Sequence, residues 1–209
     1  MKIFNIICFV AILNFANIEN VQAVIKLNSQ QDSITLKAKR LKYLYLLSTS
    51  SSNGIRDTYQ EQFFKEFPNT FGQLLELYGY NEKDKKPNIL YNEAPNHILN
   101  LFNNLLNIND TLYYKKIIQI SIGGHWDADA VNYFQDGLQK RVLDNPKLTL
   151  HLLKQITNDK IKSFWYFYFD SPHPQNQIPE QLQKIKSIDN KIYYLMLEAQ
   201  NEEIRDSKE

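Results

Sequence analysis

The densest group of side chains that could do chemistry lies in residues 121 to 131, SIGGHWDADAV. His125 and Asp127 carry an imidazole and a carboxylate, and both groups bind zinc in proteins. A catalytic zinc site needs a third protein ligand, which His97 or His173 would supply from elsewhere in the chain. The spacing matches neither the His-Glu-x-x-His helix of metalloproteases nor another zinc motif. One hypothesis is therefore a metal-assisted hydrolase of the cell envelope, in which bound zinc activates a water molecule.

The same stretch also has the pattern of a connection between two helices. Gly123 or Gly124 can adopt the left-handed conformation that closes a helix, and Asp127 can cap the next one. Asp129 would then lie in the first turn, where the helix dipole favours a carboxylate. Trp126 would pack into the core beside this connection. On this interpretation the cluster is structural, and the two interpretations stay open.

A second candidate is the turn Ser171-Pro172-His173-Pro174. The two prolines restrict the backbone around His173, which favours a stiff and exposed imidazole. Tryptophan and other aromatic residues are frequent at the centre of protein-binding surfaces. We therefore predict that a surface containing His125, Trp126, Asp129 and His173 binds another protein. An inhibitor or immunity protein, or an accessory subunit, fits this prediction.

Two further histidines have simpler explanations. Glu93 and His97 lie four positions apart near a predicted helix start, so they could form an acid–base or ligand pair. The alternative, which we favour, is a solvent-exposed helical pair that contributes only ~0.3 kcal/mol. His151 falls on the polar face of its predicted helix, and we expect it to be exposed.

Several reaction classes lack their motifs in this sequence. Cys8 is the single cysteine, so a chain cleaved after Ala23 has no disulfide and no thiol for catalysis or metal binding. Neither a Gly-x-Ser-x-Gly motif nor a glycine-rich phosphate loop is present. The 24 basic and 23 acidic residues give a net charge of +1, which does not favour nucleic acid as a partner. We expect no cofactor apart from the zinc of the metal hypothesis, and enzymatic activity stays open.

The N-terminus has the pattern of a secretory signal. Lys2 precedes an apolar stretch over residues 3 to 16, and the polar segment that follows ends in Val21-Gln22-Ala23. The alternative is an uncleaved anchor, but the apolar stretch is shorter than the ~20 residues that span a bilayer. We predict cleavage after Ala23, an exported protein that is periplasmic or extracellular, and no stable membrane insertion afterwards.

Capping residues and apolar spacing predict one helix after another from residue 55 onwards. Residues 36 to 47 have helical spacing as well, although their tyrosine and leucine content leaves a strand open. The serine-rich residues 48 to 54 have the composition of a flexible joint. The predicted helix starts are Asp57, Thr70, Asn92, Asp110, Asp127, Asn145, Asp159, Ile178 and Asp189.

We expect three segments: a signal peptide over 1–23, an N-terminal arm with a first helix and the serine-rich joint over 24–54, and a helical domain over 55–209. The aromatic run SFWYFYFD, residues 163 to 170, favours a central core helix, and the alternative is an aromatic platform for a sugar or a protein. The fold class is all-α, an irregular multi-helix bundle of about eight or nine short helices, with stacking into a solenoid left open.

Overall fold

The structure of the protein is a computed structural model. It describes residues 32–105, 107–127, 129–172 and 177–207. The predicted signal, its cleavage site after Ala23, Cys8 and His173 lie outside these residues. The described residues form an all-α fold with a single two-stranded hairpin, which confirms the predicted fold class.

The chain divides between Arg40 and Leu41 into two units. In the first unit the described residues are 32 to 40, and all of them are helical. The second unit contains the hairpin and nearly all of the helices described below. Within the described residues we find no helix that is both long enough and apolar enough to cross a membrane.

Helices follow one another with short connections. Residues 32 to 50 are helical and are called α1, so the strand left open for residues 36 to 47 is wrong. The later helices are α2 (Asn53–Glu66), α3 (Phe71–Tyr78), α4 (Ala94–Asn103), α5 (Asp110–Ser121), α6 (Ala130–Asp144), α7 (Pro146–Leu153), α8 (Asn158–Phe169), α9 (Glu180–Gln183), α10 (Ile185–Ile188) and α11 (Asn190–Asp206).

Three predicted helix starts are confirmed, and each has a capping hydrogen bond. The side chains of Thr70, Asn145 and Asp189 each accept a hydrogen bond from the backbone N–H three residues later. These bonds satisfy donors that the first turn of a helix leaves unpaired. They open α3, α7 and α11, which shows that local sequence is enough to specify these three starts.

Other predicted boundaries were wrong. Helix α2 begins at Asn53 rather than Asp57, and α1 continues to residue 50, so most of the serine-rich joint is helical. Within α1 the hydroxyls of Ser48 and Ser50 are paired, because each donates to a backbone carbonyl of the preceding turn. Asn92 caps nothing, because a 3₁₀ turn over Tyr91–Glu93 leads directly into α4.

The predicted loop after α3 contains the hairpin. Strand β1 (Tyr80–Asn81) pairs antiparallel with β2 (Lys86–Pro87), and Tyr80 lies opposite Pro87. Asn88 then ties this segment back to α3, because its side chain donates to the carbonyl of Leu75 at 2.8 Å. This hydrogen bond therefore holds the segment after the hairpin against α3.

Helix α8 is the centre of the core, as its aromatic run predicts. It packs most extensively against α11 and also contacts α5 and α6. A helix buried on most sides needs apolar residues around most of its circumference, and α8 has them. Its buried aromatic side chains are Phe164, Trp165, Phe167, Tyr168 and Phe169.

Candidate functional site

The backbone between α5 and α6 lies directly on α8. Gly123 has a φ of 76°, so it supplies the predicted left-handed conformation after α5. Its N–H donates to the hydroxyl of Ser163 at 2.7 Å. At Gly124 a Cβ atom would lie 2.6 Å from the ring of Phe167, so this position has no room for a larger residue. The two glycines therefore allow the connection to pack against the core helix.

Asp170, the residue that follows α8, fixes the next part of the connection. Its carboxylate accepts a hydrogen bond from the backbone N–H of Trp126. Burial raises the pKa of Asp170, while the bond from Trp126 and the nearby His125 lower it. The buried amide of Gln135, on α6, donates to the carbonyls of Asp170 at 2.8 Å and Phe167 at 2.7 Å. Asp170 thus holds the backbone of Trp126, and Gln135 of α6 holds the end of α8 that carries Asp170.

Helix α6 begins at Ala130, so the predicted start at Asp127 and the placing of Asp129 in the first turn were wrong. Asp129 flanks the helix with a φ of 57° and makes no side-chain cap. Such a conformation costs a residue other than glycine about 1–3 kcal/mol. The carboxylate instead accepts a hydrogen bond from the hydroxyl of Tyr91. Tyr91 lies 38 positions away in the sequence, so the spacing of residues near Asp129 could not predict this contact.

Trp126 is half-buried rather than packed fully into the core. Its indole N–H donates to the side-chain carbonyl of Asn132 at 2.8 Å, which fixes the orientation of the ring. His125 is exposed, and its imidazole lies edge-on to the ring of Phe71 with 4.9 Å between the centroids. Asp127 is half-buried. The connection therefore presents a tryptophan, a histidine and two carboxylates at or near the surface.

Two tyrosines from the hairpin region complete this surface. The rings of Tyr80 and Tyr91 lie 6.4 Å apart, and Tyr80 is 42% exposed. The pKa of Tyr91 is raised, first by its hydrogen bond to Asp129, then by burial and by the charges of Asp129 and Asp127. These effects place both carboxylates in the electrostatic environment of the phenol. We call the set Tyr80, Tyr91, Trp126, Asp127 and Asp129 the joint surface.

The chain matches no protein-family model, no curated protein and no solved structure. Function can therefore be inferred only from the geometry. Of the predicted binding residues, His125, Trp126 and Asp129 lie in the connection between α5 and α6, and each is exposed or half-buried. The position of His173 lies outside the described residues, so its part in this surface stays a prediction.

Tyr80, Tyr91 and Asp170 were missed by reasoning from the sequence. The bond between Tyr91 and Asp129 joins residues 38 positions apart, and that between Trp126 and Asp170 joins residues 44 positions apart. Aromatic residues in a predicted loop were the one available signal for Tyr80 and Tyr91. Asp170 had a weaker one, as the polar end of an otherwise buried aromatic helix.

His97 belongs to the core rather than to the surface. Its Nδ1 lies 2.9 Å from the hydroxyl of Tyr78, and its ring contacts those of Tyr45 and Phe63. Burial lowers the pKa of His97 to about 4; the charge of Glu93 opposes this shift. The predicted solvent-exposed pair of Glu93 and His97 is therefore wrong.

Glu93 forms an ion pair with Lys42 instead. Among the residues that the structure describes, no three histidine, aspartate or glutamate side chains lie close enough together to hold a metal ion. The zinc hypothesis with His97, His125, Asp127 and His173 thus stays a prediction to which the described geometry adds no support. His151 is exposed as predicted, and its ring nitrogen lies 3.1 Å from the side chain of Gln155.

Proposed function

We propose that the protein is an exported protein-binding module and that the joint surface contacts the partner. The observation that carries this proposal is a half-buried Trp126 in the same connection as Asp127 and Asp129, with Asp129 bonded to Tyr91 and the ring of Tyr91 beside that of Tyr80. Tryptophan and tyrosine contribute most to binding energy at protein interfaces, because they present a large apolar area with few rotatable bonds. Protein binding accounts for their partial exposure better than a purely structural joint does.

Hydrogen bonds already hold several groups of the joint surface in the free chain. Hydrogen bonds fix the backbone of Trp126 through Asp170 and its indole through Asn132, and Tyr91 is bonded to Asp129. Side chains that are already ordered lose little entropy when they bind. A strained backbone at Asp129, kept within this framework, is typical of functional positions.

The chemistry of the joint surface favours a basic side chain on the partner. Asp127 and Asp129 supply negative charge near the phenol of Tyr91, in the same connection as Trp126. An arginine could pair with a carboxylate through two parallel hydrogen bonds and stack on an aromatic ring at the same time. The partner we propose is therefore a protein that presents an exposed arginine or lysine, and the module acts on it as an inhibitor, an immunity protein or an accessory subunit.

Export is part of the proposal and has its own test. The N-terminal segment with Lys2, its apolar stretch and Ala23 supports removal of a signal peptide. Intact-mass measurement of the protein recovered from the cell envelope and from the medium should give a chain that begins at Val24. A mass that includes residues 1 to 23 in both fractions would contradict signal cleavage.

Binding is tested by capture with the full chain carrying a C-terminal tag, from native envelope and secreted fractions, with quantitative mass spectrometry. We expect one protein in stoichiometric amount with the wild type, at least about tenfold less with Trp126→Ala, and an unchanged amount with Tyr194→Ala. Tyr194 is a matched control because it is a half-exposed tyrosine on α11. Equal recovery with the two variants would exclude the joint surface as the binding site.

A further inference from the structure

An open pocket lies between α2, α5 and residues 107 to 109, which lead into α5, and it shares no residue with the joint surface. Its volume is about 580 Å³, and pockets that hold small ligands have about 300–1,000 Å³. A concave apolar surface with a few convergent polar groups is the usual form of such a site. The lining includes three apolar and three asparagine side chains: Phe64, Ile108, Leu112, Asn69, Asn107 and Asn109.

The charged groups at this pocket already have partners. The ammonium of Lys116 donates to the carbonyl of Phe67 at 2.8 Å and to the side-chain oxygen of Asn69 at 2.7 Å. Lys65 and Glu61 form an ion pair within α2 at 3.5 Å. A charged ligand would have to compete with these contacts. The pocket therefore suits an uncharged ligand best.

Two asparagine amides of the pocket are held by their oxygens. The side-chain oxygen of Asn69 accepts from Lys116, and that of Asn109 accepts from the backbone N–H of Leu112 at 3.2 Å. Because both partners are donors, the oxygens must face them and the NH₂ groups must face away. Both asparagines are exposed, and neither NH₂ group donates to another residue that the structure describes. A ligand here must therefore bring uncharged acceptors, such as carbonyl or hydroxyl oxygens.

The apolar part of the pocket is aliphatic where it is accessible. Leu112 is 59% exposed and Ile108 is half-buried, whereas Phe64 is only 7% exposed. The ammonium of Lys116 lies over the ring of Phe64 at 4.9 Å from its centroid, and the ring of Tyr113 stacks against the same ring. Phe64 thus offers little surface on which a ligand ring could stack. The two aliphatic side chains suit a smaller apolar group, such as a methyl group.

An acetamido group meets these requirements, because it is uncharged and combines a carbonyl acceptor with a methyl group. A sugar adds hydroxyl groups, which accept from a second amide and donate to the oxygens of Asn107 and Glu61 on the same lining. We propose that this pocket binds an N-acetylhexosamine. The methyl group contacts Leu112, and the acetamido carbonyl and a sugar hydroxyl accept from the NH₂ groups of Asn69 and Asn109.

NMR titration of the full chain, followed through the side-chain amide signals of its asparagines, separates these contributions. N-acetylglucosamine and N-acetylgalactosamine carry the complete chemistry. Glucose lacks the acetamido group, glucosamine has a charged ammonium in its place, and N-acetylalanine methylamide keeps it without the sugar. We expect at least one of the two N-acetylhexosamines to bind, and the other three probes to bind at least about tenfold more weakly than it does.

Variants that keep the fold then assign the contacts. Asn69→Asp and Asn109→Asp each keep the oxygen that accepts a hydrogen bond and remove the NH₂ donor, so each should weaken the N-acetylhexosamine about tenfold. Leu112→Gln should also weaken it, because it removes the apolar contact. The matched controls are Asn96→Asp and Leu99→Gln, at exposed positions of α4 outside this pocket, and both should bind like the wild type.

Three results would overturn the proposal. One is that neither N-acetylhexosamine binds with a Kd below about 10 mM. Another is that glucose, glucosamine or N-acetylalanine methylamide binds as tightly as the better N-acetylhexosamine. The third is that the double variant Asn69→Asp with Asn109→Asp binds like the wild type. Because the pocket and the joint surface share no residue, failure of this proposal leaves the proposed protein-binding function untouched.

Discussion

The surroundings of His97 and the joint surface both contain aromatic and titratable residues, but they differ in their exposure to solvent. Around His97 the rings of Tyr45, Phe63 and Tyr78 close on the imidazole, which is completely buried. On the joint surface, Trp126, Tyr80 and Tyr91 each stay partly open to solvent.

The two regions also use a tyrosine hydroxyl differently. The hydroxyl of Tyr78 is paired with the neutral ring of His97 inside the core, whereas that of Tyr91 donates to the charged carboxylate of Asp129 at the surface. Burying a neutral, hydrogen-bonded pair costs little free energy, whereas burying a charged carboxylate costs much more because the carboxylate loses its hydration. Aromatic and titratable residues therefore indicate a binding surface only where packing leaves them accessible, and this separates Trp126 from His97.

The largest expected effect is the loss of stability when the buried side chain of His97 is removed. His97→Ala should lower the free energy of unfolding by about 3–4 kcal/mol, because it leaves a cavity among three rings and an unpaired Tyr78 hydroxyl. His125→Ala, at an exposed position, should change the free energy of unfolding by less than about 0.5 kcal/mol. Urea unfolding of both variants measures the difference, and equal losses would contradict the contrast between the two histidines.

The second effect is a loss of stability at acidic pH. The pKa of His97 is about 4 in the folded protein, against 6.5 for a free histidine, so the unfolded chain binds more protons between these values. The stabilisation by neutral His97 is complete above pH 6.5 and falls by about 2–3 kcal/mol as the pH decreases towards 4. His97→Leu should flatten this part of the stability curve. An unchanged slope in that variant would exclude His97 as the source.

Glu203, on α11, should give stability the opposite dependence on pH. It is buried, and burial together with the charge of Asp170 raises the pKa of Glu203 from 4.5 to about 7. The unfolded chain loses this proton first, so stability is lost as the pH rises from 4.5 through 7. Glu203→Gln should therefore be more stable than the wild type at pH 8, by about 1 kcal/mol, and equally stable at pH 4. Thermal unfolding at both pH values tests this, and a destabilised variant at pH 8 would contradict it.

The smallest effect is expected when the support of Trp126 is weakened. Asp170→Asn keeps an acceptor oxygen but removes its charge, which should cost about 0.5 kcal/mol and speed hydrogen exchange at the Trp126 N–H. Asp136→Asn is the matched control, because Asp136 is an exposed aspartate of α6. Equal exchange rates at Trp126 in the two variants would show that Asp170 does not hold the joint.

The features that could be predicted from the sequence are those that neighbouring residues determine. The caps at Thr70 and Asn145 and the buried aromatic helix α8 depend on residues within one or two turns. The burial of His97 had a usable signal as well, because His97 precedes Leu101 by one turn and shares the apolar stripe of α4. A lone helical pair with Glu93 was the wrong model for it.

The joint surface depends on contacts that no local pattern contains. Asp127 and Asp129 have the composition of a helix start, but the helix begins at Ala130, and the carboxylate of Asp129 accepts a hydrogen bond from Tyr91 instead of capping it. The position of Trp126 depends in the same way on Asp170. Pairing over about 40 residues is decided by how the helices pack, so the sequence could locate the cluster but not its geometry.

The most direct test of the central claim maps the contact in the cells that make the protein. A photocrosslinking amino acid in place of Tyr80 lies on the joint surface, and the same substitution at Tyr194 is the matched control on α11. The account predicts that irradiation joins a defined second protein to the chain from position 80 and not from position 194. No crosslink from position 80, or the same crosslink from both positions, would contradict a protein-binding role for the joint surface.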